Sequence, residues 1–108
     1  MIHVLTIPVQ GGLEVKGYDR KDELDWLQTA VGGYIEVVTA SESVTFIVNE
    51  EGKLKGLPIN KRATELWWSL NPAARGADVL VGTVLVAGGT GDDGETQSVH
   101  PAILGLLT

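Results

Sequence analysis

The stretch Glu50-Glu51-Gly52-Lys53-Leu54-Lys55-Gly56-Leu57-Pro58-Ile59-Asn60-Lys61-Arg62-Ala63-Thr64-Glu65-Leu66-Trp67-Trp68 decides how this chain is organised. It separates two apolar runs, 44–48 and 78–87, that both read as strands. Glu51-Gly52-Lys53 reads as a tight turn. Gly56-Leu57-Pro58 reads as a stiff extended segment, because proline fixes φ. Asn60 has the side chain of a good N-cap. Ala63, Leu66, Trp67 and Leu70 then recur on one face of a helix, and Pro72 ends it. The stretch also carries Lys53, Lys55, Lys61 and Arg62, four of the eight Lys and Arg in a chain of net charge −6.

Working outward, residues 34–40 read as a strand whose polarity is broken only by Glu36. Ser41-Glu42-Ser43 is too short for a parallel crossover, so 34–40 and 44–48 form a hairpin. In the second of these strands Val44, Phe46 and Val48 share one face, and Thr45 and Ile47 the other. Residues 2–9 are apolar on both faces, as a central strand should be. Pro8 marks its end. Gln10-Gly11-Gly12 turns the chain into 13–16, which alternates apolar and charged. Asp19 caps the next helix, with Asp22, Glu23 and Asp25 in its first turns, where the dipole favours negative charge. Leu24, Leu27 and Val31, with Ala30, make its apolar stripe, Trp26 lies at the rim, and Gly32-Gly33 stops it. Residues 78–87 read as a buried strand with Gly82 as a close-approach point. The order ββαββαβ predicts one α+β domain over 1–108. It has a mainly antiparallel sheet of about five strands with two helices on one face. Residues 88–98 read as a glycine-rich acidic loop, and 99–108 as a tail docking back as strand or helix.

Composition removes several kinds of chemistry. Without cysteine there is no disulfide, thiol nucleophile or cysteine zinc site. An acidic balance opposes direct binding to nucleic acid or anionic membrane, which need a basic face. The first residues lack the basic flank and apolar core of a signal peptide, and no apolar run approaches the ~18 residues of a membrane span. A cytoplasmic location is expected.

The remaining motif matches are weak. Gly89-Thr90-Gly91-Asp92-Asp93-Gly94 fits G-x-G-x-x-G, but no amphipathic helix follows and its acids would repel a pyrophosphate. The spacing of Asp92, Asp93 and Glu95 is not that of a calcium loop. Nothing in the sequence brings His3 and His100 together, and serines 41, 43, 69 and 98 lie in no nucleophile elbow. No catalytic residue, metal or cofactor is therefore assigned. What survives is the opening stretch. Lys61 and Arg62 beside the Asn60 cap suit an anion at a helix N-terminus. Glu50, Glu51, Lys53, Lys55, Asn60, Lys61 and Arg62 are the candidate ligand-binding residues. Trp67 and Trp68, about 100° apart on their helix, cannot both face one core; they mark a partner or self-association surface.

The chain resembles a known family. The residues that carry the resemblance are Leu5-Thr6-Ile7-Pro8-Val9, Gly32-Gly33-Tyr34-Ile35-Glu36-Val37-Val38, the run from Val48-Asn49-Glu50-Glu51-Gly52 through Asn60-Lys61-Arg62-Ala63-Thr64, and Asp78-Val79-Leu80-Val81-Gly82-Thr83-Val84. They look like the domain of unknown function 3846 family, small proteins typical of phages, plasmids and their bacterial hosts, actinobacteria among them. The resemblance spans Ile2 to about Gly89 and implies a small α+β protein of mobile-element origin. It implies no established activity and no catalytic residues. The sequence therefore points to a non-enzymatic accessory protein that binds a host protein or a small anionic ligand through residues 50–62. One alternative is a phosphoryl- or nucleotide-directed enzyme with Glu50 or Glu51 as general base near Asn60 and Lys61. Another is an acidic mimic of nucleic acid.

Overall fold

Strand order explains why both faces of the sheet are apolar. The computed structural model describes residues 1–91 and 94–107. The elements are β1 (Ile2–Ile7), β2 (Glu14–Tyr18), α1 (Glu23–Val31), β3 (Ile35–Ser41), β4 (Val44–Asn49), α2 (Lys61–Leu70), β5 (Val84–Gly88) and α3 (Ala102–Leu107), with short 3-10 turns before α1 and after α2. The sheet runs β2-β1-β5-β4-β3, with every pairing antiparallel. Two hairpins, β1–β2 and β3–β4, thus flank β5, the last strand in sequence. Central strands cannot show either face to water. Accordingly all of β4 and all of β5 are buried.

The α+β class, the antiparallel sheet and its five strands are as the sequence predicts. The helices are not on one face. Leu5, Ile7, Val44, Phe46, Val48, Val84 and Val86 pack with Ala63, Leu66 and Trp67 of α2 and with Ile103 of α3. Ile2, Val4, Ile47, Leu85 and Ala87, of opposite parity, pack with Leu27 and Val31 of α1. The reason is in the strands: both parities of β1, β4 and β5 are aliphatic. Each fully buried Val, Leu or Ile is worth about 1.5–3 kcal/mol, so one uncovered face would be prohibitive.

Other expectations need adjusting. Leu24 is 57% exposed, and the buried stripe of α1 is Leu27 and Val31, with Trp26 and Ala30 at its margin. Trp26 stacks on Tyr18 with ring centroids 4.8 Å apart. The Tyr18 hydroxyl donates to Glu23 Oε2 at 2.7 Å, and burial, reinforced by that carboxylate, pushes it well above the ordinary phenol range. The apolar run 78–87 becomes a strand only at Val84. Before that it is an extended segment bridged to Ile59 at Val81, and Gly82 takes φ of 71°, open to glycine at no steric cost. The tail is helical from Ala102. Residues around the glycine-rich loop return to the sheet, with Gly88 N–H on Gln97 O and Val99 N–H on His3 O. Arg20 pins this loop through Thr96 O and Glu95. Asp92, Asp93 and Thr108, which the sequence includes in the loop and tail, lie outside the described residues.

Candidate functional site

The opening stretch divides into residues that build the fold and residues left over. Asn60 belongs to the first group. It is wholly buried. Its Oδ1 accepts from Ala63 N–H at 3.1 Å, the cap the sequence predicts, and its amide donates to Ile7 O at 2.8 Å and Gly82 O at 2.9 Å. Its side chain is used up and offers nothing to a ligand. Arg62 is also engaged, donating to Gly11 O at 2.7 Å and Pro8 O at 2.6 Å, so it clamps the β1–β2 turn. Asn49 is buried, donates to Val31 O and accepts from Glu51 N–H. Thr64 Oγ1 accepts from Leu80 N–H at 2.9 Å, and Asn60 N–H donates to Leu80 O at 2.8 Å. These bonds fasten the segment before β5 to the start of α2.

Lys53 bonds the Asp78 carboxylate. That hydrogen bond, helped by Val79 N–H, holds the Asp78 carboxyl below the usual carboxylate range. Two of the four candidate cations are therefore committed inside the protein. Lys55 and Lys61 remain exposed. The anion site expected at the α2 N-terminus keeps neither Asn60 nor Arg62.

A different site emerges at one end of the β3–β4 pair. A cavity of about 240 Å³ opens there. Its apolar walls are Val38, Val48, Leu80, Val81 and Trp67. Its polar groups are Glu36, Glu50, Asp78, Lys53 and the already bonded Asn49, with exposed Leu54 alongside. Glu50, Lys53 and Trp67 are thus brought together. Glu51, Lys55, Asn60, Lys61, Arg62 and Trp68 do not line it. Lys53 and Asp78 neutralise each other, which leaves Glu36 and Glu50. Both are exposed, and neither carboxylate has a hydrogen-bond or ion-pair partner among the described residues. The site is net negative and suits a cation. Glu36 was missing from the sequence's candidates, although its position as the single charge in an apolar strand was the available signal.

Of the two tryptophans, Trp67 is only 8% exposed and packs in the α2-side core. Its Nε1 is buried with no hydrogen-bond partner. Trp68 is half-buried and donates from Nε1 to Asp78 O at 2.9 Å. The expected tryptophan surface is therefore not formed by Trp67.

Since Asp78 titrates lower in the folded chain, its contribution to stability is present above the unfolded-state value and is lost as pH falls through the folded one. Both side chains are about half exposed, so the pair is worth under about 1 kcal/mol. Asp78→Asn should lower Tm slightly near neutral pH, and the gap to wild type should close in acid. Thermal melts across the acid limb measure this.

A larger groove of about 530 Å³ lies on the α1 side, lined by Thr6, Lys16, Asp22, Asp25, Trp26 and Thr29, among others. Most of its groups have local duties. Asp22 and Asp25 lie at the start of α1, favourable to its dipole, and Trp26 stacks on Tyr18. Thr6 Oγ1, buried without a partner, is a feature that packing leaves unexplained.

Fold and cavity together define a small α+β protein with an acidic recess beside an edge strand. It belongs to the DUF3846 family, whose model, described as Domain of unknown function (DUF3846), matches residues 2–108. No curated protein and no solved structure matches the chain. Among the described residues no cluster of three or more His, Asp or Glu is placed to hold a metal, and no helix is long and apolar enough to cross a membrane.

Proposed function

We propose that this chain is a non-enzymatic accessory protein that binds a protein partner by taking one of its basic side chains into the Glu36–Glu50 cavity. The observation that carries this reading is the pair of carboxylates without partners on an apolar-walled recess whose own lysine is already bound by Asp78. A lysine or arginine has the matching form, an apolar stem ending in a cation. The chain's net charge of −6 favours a basic partner over long range. The family resemblance supports a phage or plasmid setting with a host protein as partner. A small anionic ligand is disfavoured, because Lys53 and Arg62 are engaged elsewhere. The enzymatic arrangement is disfavoured too, because Asn60 is buried, its side chain is spent on Ala63, Ile7 and Gly82, and neither it nor Lys61 lines the cavity that Glu50 lines.

The test is a titration with N-acetyl-arginine methylamide followed by amide NMR shifts. Saturable shifts should localise to Glu36, Glu50 and their neighbours. The Glu36→Gln/Glu50→Gln double variant should weaken binding about tenfold or more, since hydrogen bonds to charged groups are worth about 1.5–3 kcal/mol. Shifts centred instead on Lys55 and Lys61 with inorganic phosphate, and none with the capped arginine, would overturn the reading.

A further inference from the structure

The cavity adjoins the free edge of the sheet, and the two features fit one occupant. β3 is the terminal strand of the sheet, paired only to β4. Glu50 N–H donates to Tyr34 O at 2.8 Å, which makes 34 and 50 a hydrogen-bonded pair. In an antiparallel ladder such pairs alternate with non-bonded ones. The register Glu36↔Val48 and Val38↔Phe46 therefore turns the backbone groups of Glu36 and Val38 inward, and those of Ile35, Val37 and Thr39 outward. These outward N–H and C=O groups are a ready template for another strand.

Edge strands are ordinarily blunted by charged side chains, lysine above all, by proline, brevity or a bulge. β2, the opposite edge, has five residues, of which Glu14 and Lys16 are charged and exposed. β3 has seven residues with neither lysine nor proline, and its bulge comes only at the Thr39/Ser41 end. Its one charge is Glu36, which lines the cavity. Val37 is 56% exposed on the opposite face. An edge that is apolar on one side and acidic on the other is unlike a merely solvated one.

We infer that the partner docks as an extended segment added to the β3 edge, placing one arginine or lysine in the Glu36–Glu50 cavity. This deepens the function proposed above and rests on it. Side chains on an added strand alternate between faces. The residue opposite Glu36 or Val38 falls on the α2 side, at the cavity mouth. Its neighbours in sequence fall on the other side, where an apolar residue covers Val37. The recognition element is thus a basic residue flanked by apolar, β-branched ones, with main-chain bonds giving affinity and the cavity giving specificity.

A library of seven-residue peptides selected on the 108-residue protein tests this. Peptides with a lysine or arginine next to a β-branched or aromatic residue should be enriched. Val37→Pro removes an N–H that faces away from β4, so the β3–β4 ladder survives. It should weaken an enriched peptide at least tenfold while leaving capped arginine binding unchanged. N-methylation of the peptide amides, one at a time, should cause a similar loss at alternate positions, and needs no altered protein. Capped arginine that binds while the peptide ignores both Val37→Pro and N-methylation would overturn strand addition but keep the cavity reading. Failure of both probes would overturn both. No enrichment overturns the inference. So does a dimer that Val37→Pro dissolves and that excludes peptide, because a second copy would then hold the edge.

Discussion

Asn60→Ala should lower the unfolding free energy by about 3–6 kcal/mol, a large part of the ~5–15 kcal/mol typical of a small protein. The sequence supports only the smaller share of this effect. A lost N-cap costs about 0.5–2 kcal/mol. The remainder comes from Ile7 O and Gly82 O, which the Asn60 amide satisfies in the interior. Each buried acceptor left bare costs about 1–3 kcal/mol. Related substitutions separate the shares. Asn60→Ser keeps an oxygen for Ala63 N–H and should recover only about 1 kcal/mol. Asn60→Asp keeps the cap but sets a carboxylate against two carbonyl oxygens, so it should be no better than alanine. Urea melts read all three, with an unchanged m-value confirming that the native and unfolded states keep their extents. If Asn60 served a ligand instead, binding would fall and the urea midpoint would not move.

This result bears on what the sequence could disclose. The conspicuous polar run from Asn49 to Thr64 looks like a binding surface because it is richer in polar groups than a core. Three of those groups, Asn49, Asn60 and Thr64, are instead buried, and Arg62 and Lys53 are bound within the chain. Thr64 holds Leu80, and a Cβ on Gly52 would collide with the Val81 side chain. The cap was legible because its partner lies three residues away. The other bonds of Asn60 reach residues 53 and 22 positions distant, and local pattern carries no sign of them. The same limit explains the helices. The two-sided apolar character of residues 2–7 and 44–48 was visible, and it required a cover on each face. Both helices on one face would leave the other uncovered, and α1 instead covers the face opposite α2. Glu36 shows the converse. A lone charge in an apolar strand was legible as an oddity, but its meaning depends on β3 being an edge. That in turn depends on β5 pairing between the two hairpins rather than beyond them.

Trp67→Ala should cost about 3–5 kcal/mol, the usual range for deleting a large buried aromatic. For a chain of this size that is a fall in Tm on the order of 15 °C. The side chain is 8% exposed and joins Leu66 and Ala63 against the β4 and β5 valines and Phe46. Its truncation would join new space to the Glu36–Glu50 cavity, which Trp67 walls. Trp67→Phe is the sharper test. A buried tryptophan usually loses a hydrogen bond in this exchange, but Nε1 of Trp67 has no partner to lose. An unsatisfied buried donor itself costs about 1–3 kcal/mol, so its removal offsets part of the lost packing. Trp67→Phe should therefore cost less than about 2 kcal/mol by the same reckoning. Trp68→Phe, by contrast, gives up a real bond to Asp78 O and should cost about 1 kcal/mol. The two readings of Trp67 are opposite in what they require. As an interface residue it would leave the melting curve in place and abolish partner binding when truncated. As a core residue it must shift the curve first. A Trp67→Phe variant that stays folded and still binds capped arginine would place the recognition chemistry on Glu36 and Glu50, with the indole serving as their wall.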